Sequence, residues 1–264
     1  MSEKIGQLKL KSSDRKYYIR KRIKLRKTLF FIGLFLNFYY NFIMVVKMIE
    51  ELFDLDKTIL KKEFLKVNYP WELLIDLKSI IINMGNGLNK EDYQEIKENV
   101  WVGKNVKISS SAEINGPCII GNDTEIRVNA FIRGSVIIGN NCVIGNSTEI
   151  KNAILFDNVK VPHFNYVGDS ILGYKAHFGA GVITSNVKSD ESNVVVCYKD
   201  KKIETNRKKV GAIVGDRVEV GCNAVLAPGT IINKNSNIYP LTLVRGYIPQ
   251  NVIVKDLNNI VEKK

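Results

Sequence analysis

Residues 102–150 read VGKNVKISSSAEINGPCIIGNDTEIRVNAFIRGSVIIGNNCVIGNSTEI. An aliphatic side chain falls on every sixth position: Val102, Ile108, Ile114, Ile120, Ile126, Ile132, Ile138, Ile144 and Ile150. Four residues after each comes a small or β-branched one, from Val106, Ala112, Cys118 and Thr124 through to Ile154. Neither the 3.6-residue period of a helix nor strand alternation gives this spacing. A six-residue period marks a parallel β-helix, in which each unit is one short strand and a corner, and the aliphatic stacks inward on its copy in the next turn. The pattern returns at Leu172 and Phe178, then at Val214, Val220, Leu226, Ile232 and Ile238. Three units close one triangular coil, so sixteen units predict a little over five coils. Glycine recurs just after the aliphatic, at 103, 121, 139, 145, 215 and 221. It reads as a corner residue, because glycine tolerates unusual φ.

The 264 residues suffice for one sizeable domain and a small extra one. The net charge of +12 is uneven: residues 1–47 hold 12 Lys/Arg against Glu3 and Asp14. The rest is close to neutral, which together with the lack of a recognition motif argues against nucleic-acid binding. Cys118, Cys142, Cys197 and Cys222 form no CxxC pair, which suits a reducing compartment, and the first two read as buried small hydrophobes.

Within 1–47, Leu29 to Val46 is an uncharged run behind a basic cluster. It reads as a membrane span, as a secretory signal lacking a cleavage site, or as upstream sequence with translation starting at Met44 or Met48. On the last reading 1–47 is dispensable and the protein is cytoplasmic; a membrane partner follows only if 29–46 spans. Residues 48–98 read as a small helical cap over the N-terminal end of the solenoid. Asp56 is the expected first cap, Pro70 opens a helix bearing Trp71, Leu74, Ile75 and Ile81, and Gly85 closes it. The β-helix spans 99–249, and 250–264 is a tail.

The hexad frame fails after Phe156 and again from about Val187 to Gly211, which predicts loop insertions near 157–171 and 187–211. Insertions in a solenoid gather on one face, often the binding face. The two breaks flank the chain's two histidines, His163 and His177. On residue types alone, His163 after Pro162 is equally a structural or a functional histidine, and Arg133 and Lys151 read as solvated charges. Gly179-Ala180-Gly181 reads as a corner rather than a phosphate loop.

The run PHFNYVGDSILGYKAHFGAGVITSN, residues 162–186, resembles the acetyltransferase half of the bifunctional N-acetylglucosamine-1-phosphate uridyltransferase/glucosamine-1-phosphate N-acetyltransferase family. That family has a His-x-x-Tyr-x-Gly-Asp segment and a Gly-Ala-Gly-Thr-Ile-Thr-x-Asn segment at this spacing, and the similarity covers about 100–249. The resemblance implies a mainly β, left-handed parallel β-helix of hexapeptide repeats. It also implies a homotrimer with sites between subunits, and acetyl-CoA lying along the coils. It puts His163 in the place of the catalytic base. Tyr166, Arg133, Lys151, Asn186 and Lys209 stand in the sugar-phosphate site, and Ala180, Cys222 and Pro240 lie on the acetyl-CoA side. Two positions depart from the family: His177 replaces an asparagine that orients the sugar, and Cys222 replaces a serine.

The expected activity is acetyl-CoA-dependent N-acetyl transfer to an amino-sugar phosphate, glucosamine-1-phosphate first, in nucleotide-sugar biosynthesis. A neutral imidazole suits deprotonation of an amine near pH 7, and an Arg with a Lys suits a phosphate. No metal is required for that transfer. The upstream region is short and lacks a nucleotide loop, so no uridyltransferase activity is expected. The alternative is a non-catalytic, trimerising or regulatory module. A zinc carbonic anhydrase of this shape needs three histidine ligands, and the chain has two histidines.

Overall fold

The computed structural model describes residues 48–263; the stretch 1–47, with its membrane, signal and start-site readings, lies outside the described residues. The hexads form short strands stacked in parallel on three faces. The first face runs Val100–Val102, Cys118–Ile120, Val136–Ile138, Ala153–Leu155, Ile171–Leu172, Ala212–Val214, Thr230–Ile232 and Tyr247–Ile248. The second carries eight parallel strands from Lys107–Ile108 to Val252–Asp256, and the third seven from Glu113–Ile114 to Leu243–Val244. Among the described residues the solenoid therefore has seven complete coils and two faces of an eighth, not a little over five.

The missing coils are those that a strict six-residue frame cannot count. Ile120 lies beside Ile138, 18 residues on, but Leu155 lies beside Ile138 and Leu172 beside Leu155, each 17 residues on. Residues 157–171 are thus no insertion. Val161 stacks on Ile144 and Val167 on Ile150, in a coil one residue short. The residue is lost at the corner between the third and first faces. There Asn152 and Asp169 make the turn with φ of 45° and 48°. Short polar side chains tolerate this left-handed region. The shift by one also places Leu155 inward and Ile154 outward, against the hexad count. The second insertion is present: within 187–211, Val195–Tyr198 pairs antiparallel with Lys201–Glu204 above a stem closed at Val187 and Lys209.

The recurrent glycines do not hold unusual φ. At the corners most residues in the left-handed region are polar, such as Asn105, Asp123, Asn141 and Asn223. Glycine is needed at the second position because coils touch there. A Cβ on Gly145 would lie 1.5 Å from the Pro162 carbonyl oxygen, and one on Gly121 2.6 Å from the backbone of Gly139. The edge that Gly121 shares with Gly139 carries a side-chain ladder. Asn122, Asn140 and Asp157 accept from the backbone N–H of Lys104, Asn122 and Asn140 at 2.7–2.8 Å.

The helical unit does not cap the N-terminal end; it lies along the first face. The outward residues of that face, Trp101, Ile119, Ile137, Ile154, Ile171, Ile213 and Ile231, are all buried. Each such burial is worth about 1.5–3 kcal/mol, so this face requires a cover. Helix Leu77–Asn86 packs on Cys118–Ile120 and Val136–Ile138, and Phe53 and Phe64 enclose Phe156 at centroid distances of 5.0 and 5.5 Å. Pro70 opens a 3₁₀ segment, Pro70–Leu74, as expected, but Asp54 rather than Asp56 caps the first turn. Gly85 lies inside the helix, where a Cβ would sit 2.4 Å from the Trp101 ring, and Gly87 is the cap. Asp216, whose carboxyl is pushed up by burial, ties the unit down by accepting from Asp54 and Tyr174 N–H at 2.7 and 2.8 Å. The expected tail also has structure: Val252–Asp256 continues the second face and folds back on Asn259–Glu262, covering the last coil's edge. Among the described residues no helix is long and apolar enough to cross a membrane.

Candidate functional site

Arg133 and Lys151 each follow the inward aliphatic of a third-face strand, Ile132 and Ile150, and those strands are adjacent. The next residue of their column is Gly168, in register with Lys151. A Cβ on Gly168 would lie 2.5 Å from the Tyr166 hydroxyl, so the bare glycine is what lets the Tyr166 ring cross the column. Tyr166 stands outward between Glu149 and Ile183, and its hydroxyl accepts from Asn186 Nδ2 at 3.3 Å. Burial pushes its phenol pKa up, so at neutral pH it keeps its proton to donate.

Two carboxylates organise the cations. Arg133 Nη1 donates to Glu149 Oε1 at 2.7 Å, a bond that raises the guanidinium pKa further. Asp169 is 2% exposed and accepts from Asn152 Nδ2 at 2.7 Å and Asn186 Nδ2 at 2.5 Å, with Lys151 Nζ at 3.6 Å. Asn152, Asp169 and Asn186 stand 17 residues apart, one per coil, at the shortened corner. The return strand of the insertion is pinned to the same corner: Gly211 N–H donates to Asp169 O at 2.8 Å and Val210 N–H to Asn186 O at 3.1 Å. It brings Arg207, Lys208 and Lys209 to an open cavity shared with Lys151, Asn152 and Asp169.

Five expected residues, Arg133, Lys151, Tyr166, Asn186 and Lys209, thus gather at the corner between the third and first faces. Sequence reading passed over Glu149, Asn152, Asp169 and Arg207. The repeat of Asn152, Asp169 and Asn186 at 17 residues was the available signal.

The corner between the second and third faces carries a different column. His163, Ala180, Cys222 and Pro240 each lie two residues after an inward side chain, namely Val161, Phe178, Val220 and Ile238. Backbone bonds join them in order: Gly181 N–H to His163 O at 3.0 Å, Asn223 N–H to Ala180 O at 2.8 Å, and Leu241 N–H to Cys222 O at 2.9 Å. At ~4.8 Å per coil, His163 and Pro240 are about 14 Å apart along the edge. The His163 side chain is exposed, and its backbone N–H donates to Asn165 Oδ1 at 3.1 Å.

His177 belongs to neither group within one chain. It stands outward in the middle of the second face, in register with Lys160 and Glu219, and its Nδ1 lies 2.6 Å from Glu219 Oε2. Within a single chain the two histidines stand apart, because His163 has already turned the corner at the end of Lys160–His163. Cys118 and Cys142 are buried and free, as expected, and burial pushes the Cys142 thiol up to about 12. Among the described residues no group of three or more His, Cys, Asp or Glu is arranged to hold a metal ion.

Residues 97–197 match the family model described as the EIF2B subunit epsilon LbH domain. The bifunctional protein GlmU of Methanococcus maripaludis strain C7 is 40% identical over 114 residues, 43% of this chain and 28% of that protein. The bifunctional sugar-1-phosphate nucleotidylyltransferase/acetyltransferase of Sulfurisphaera tokodaii is 34% identical over 186 residues, 69% of this chain and 46% of that protein. The chain spans less than half the length of either relative. A protein of Escherichia coli K12 named as an uncharacterised acetyltransferase, YaiX, is 32% identical over 188 residues, 71% of this chain and 77% of that protein. Among solved structures, PerB from Caulobacter crescentus, in complex with CoA and GDP-perosamine, aligns with a TM-score of 0.38 at 16% identity, over 60% of this chain and 57% of that one. With the solenoid of hexapeptide repeats and a relative 32% identical over more than two thirds of its own length, the chain belongs to the left-handed β-helix family of hexapeptide-repeat acyltransferases.

Proposed function

We propose that the chain is an acetyl-CoA-dependent N-acetyltransferase whose acceptor is an amino-sugar phosphate, glucosamine-1-phosphate first, in cytoplasmic nucleotide-sugar biosynthesis. The observation that carries this reading is the gathering of Arg133, Lys151, Tyr166 and Asn186 at one corner, with His163 at the next corner, three residues before Tyr166. The name of the Sulfurisphaera tokodaii relative joins an acetyltransferase to sugar-1-phosphate chemistry, which supports a phosphorylated sugar as acceptor.

The phosphate lies toward the cations, the sugar crosses Tyr166, and the amine faces His163. Neutral His163 accepts the amine proton as nitrogen attacks the thioester carbonyl. The N–C bond forms, the C–S bond breaks, and the proton passes from His163 to the departing CoA sulfur. The column from His163 through Ala180 and Cys222 to Pro240 gives the pantetheine arm a track. His177, held by Glu219, takes no part in this within one chain.

The same edge supports a homotrimer with sites at subunit boundaries. Phe164 and Leu241 are 57% and 79% exposed, and both hold left-handed φ, of 51° and 61°. Bulky apolar residues seldom occupy that region in water, and both flank the His163 column.

The test is release of free CoA from acetyl-CoA by the purified protein with glucosamine-1-phosphate. Arg133→Ala should raise the acceptor KM by roughly 10- to 100-fold and leave that of acetyl-CoA nearly unchanged, as expected for loss of a charge-assisted bond. Equal effects on both substrates remove Arg133 from the phosphate site. Acetyl-CoA binding without turnover on any amino-sugar phosphate favours the non-catalytic module.

A further inference from the structure

The cations expected to hold the acceptor phosphate are already matched inside the chain. Arg133 is paired with Glu149 and Lys151 with Asp169, so these four groups together carry no net charge. A phosphomonoester is a dianion near neutral pH, with a second pKa near 6. It therefore needs positive charge from elsewhere. The return strand of the insertion supplies three cations at the same cavity, Arg207, Lys208 and Lys209; among the described residues no carboxylate besides Asp169 lines it.

Arg207 stands apart among the three. Its Nη1 is buried and has no hydrogen-bond partner among the described residues. A buried donor without an acceptor is costly, and such groups in native folds call for a specific cause. The backbone around it is fixed. Val194 N–H donates to Arg207 O at 2.7 Å, and Arg207 N–H donates to Thr205 Oγ1 at 3.2 Å. Thr205 Oγ1 in turn donates to Val194 O at 2.6 Å. Two residues on, Lys209 bridges to Val187, and Val210 and Gly211 bond to Asn186 and Asp169. Arg207 thus lines the cavity from a fixed stem, and its planar guanidinium suits the forked recognition of phosphate oxygens.

We propose that Arg207 is a phosphate ligand of the acceptor site, and that the insertion 187–211 adds to the paired Arg133 and Lys151 the net positive charge that the dianion needs. This rests on the acetyl-transfer reading for the identity of the acceptor but not for the existence of the anion site. The experiment uses inorganic phosphate as the probe with the full chain. Its binding is measured by calorimetry in the absence of acetyl-CoA. Arg207→Gln should weaken it roughly 10- to 100-fold, and Arg207→Lys should restore only part, because a lysine gives a point charge in place of a fork. Acetyl-CoA affinity should stay unchanged in both.

A second measurement needs no variant. Phosphate should protect Arg207 of the wild-type chain from phenylglyoxal, read by peptide mass. Unchanged phosphate affinity in folded Arg207→Gln, or absence of protection, overturns the proposal. Phosphate binding that depends on Arg207, in a protein that acetylates no amino-sugar phosphate, upholds the anion site and overturns the acceptor instead.

Discussion

The two histidines differ most clearly at the scale of single residues. His163 begins the column that continues through Ala180, Cys222 and Pro240 at the corner, whereas His177 is engaged by Glu219 at 2.6 Å in the middle of the second face. His163→Ala should lower turnover by ~10²–10⁴-fold while acetyl-CoA still binds. His177→Asn should keep turnover within a few-fold and retain the acidic limb of the pH–rate profile. Loss of that limb in His177→Asn but not in His163→Asn would transfer the base to His177, which then has to reach the site of a neighbouring subunit. Asp169 works at this scale through others. It touches Lys151, Asn152 and Asn186 at once, so it fixes the cation and the amide that Tyr166 leans on.

At the scale of elements, the segment 48–86 and the first face exist for each other. The face buries a ladder of outward aliphatics and Trp101, and the segment contributes Phe53, Phe64, Trp71, Leu74, Leu77 and Ile81 to cover it. Phe156 is the clasp, with the rings of Phe53 and Phe64 on it. Phe156→Ala should cost about 3–5 kcal/mol, measured by urea unfolding. It should also open 48–86 to protease before the solenoid unfolds. A loss below about 1 kcal/mol with unchanged proteolysis would show that the ring cluster does not hold the segment. The insertion is the second element whose placement has a physical consequence. Its stem is bonded to Asn186 and Asp169 and so carries basic residues to a corner they do not otherwise reach.

For the whole molecule, the exposed apolar side chains on the third face and its leading corner, Val128, Phe131, Phe164, Leu241 and Leu243, form the surface expected to close on further copies. Leu241→Asp should convert a trimer to monomer by light scattering and abolish turnover, with the far-UV spectrum retained. An active monomer, whether wild type or Leu241→Asp, would place the complete site within one chain.

Much of this was legible in the sequence because the inward aliphatic repeats without a miss from Val102 to Ile150, and stacking like on like in a β-helix is a one-dimensional rule. Arg133 and Lys151 fell on one face by the same rule, at one coil's separation. The motif around His163 and Tyr166 pointed to the region where the chemistry is proposed. What the hexad count could not supply depended on contacts between segments far apart in the chain. The 17-residue coils looked like a break because a strict six-residue frame has no place for a turn one residue short, and only the pairing of Leu155 with Ile138 and Leu172 shows the coil continuing. The recurrent glycines looked like turn formers, whereas the neighbouring coil leaves no room for a Cβ. The helical unit looked like an end cap, since nothing local says which surface its apolar side will meet. The ladder from Trp101 to Ile231 decided that, one residue per coil on a single face. Periodicity was set by the sequence alone; which columns lie side by side, and which charges are already neutralised there, was decided by the tertiary structure, because pairing energies depend on distance in space and not along the chain.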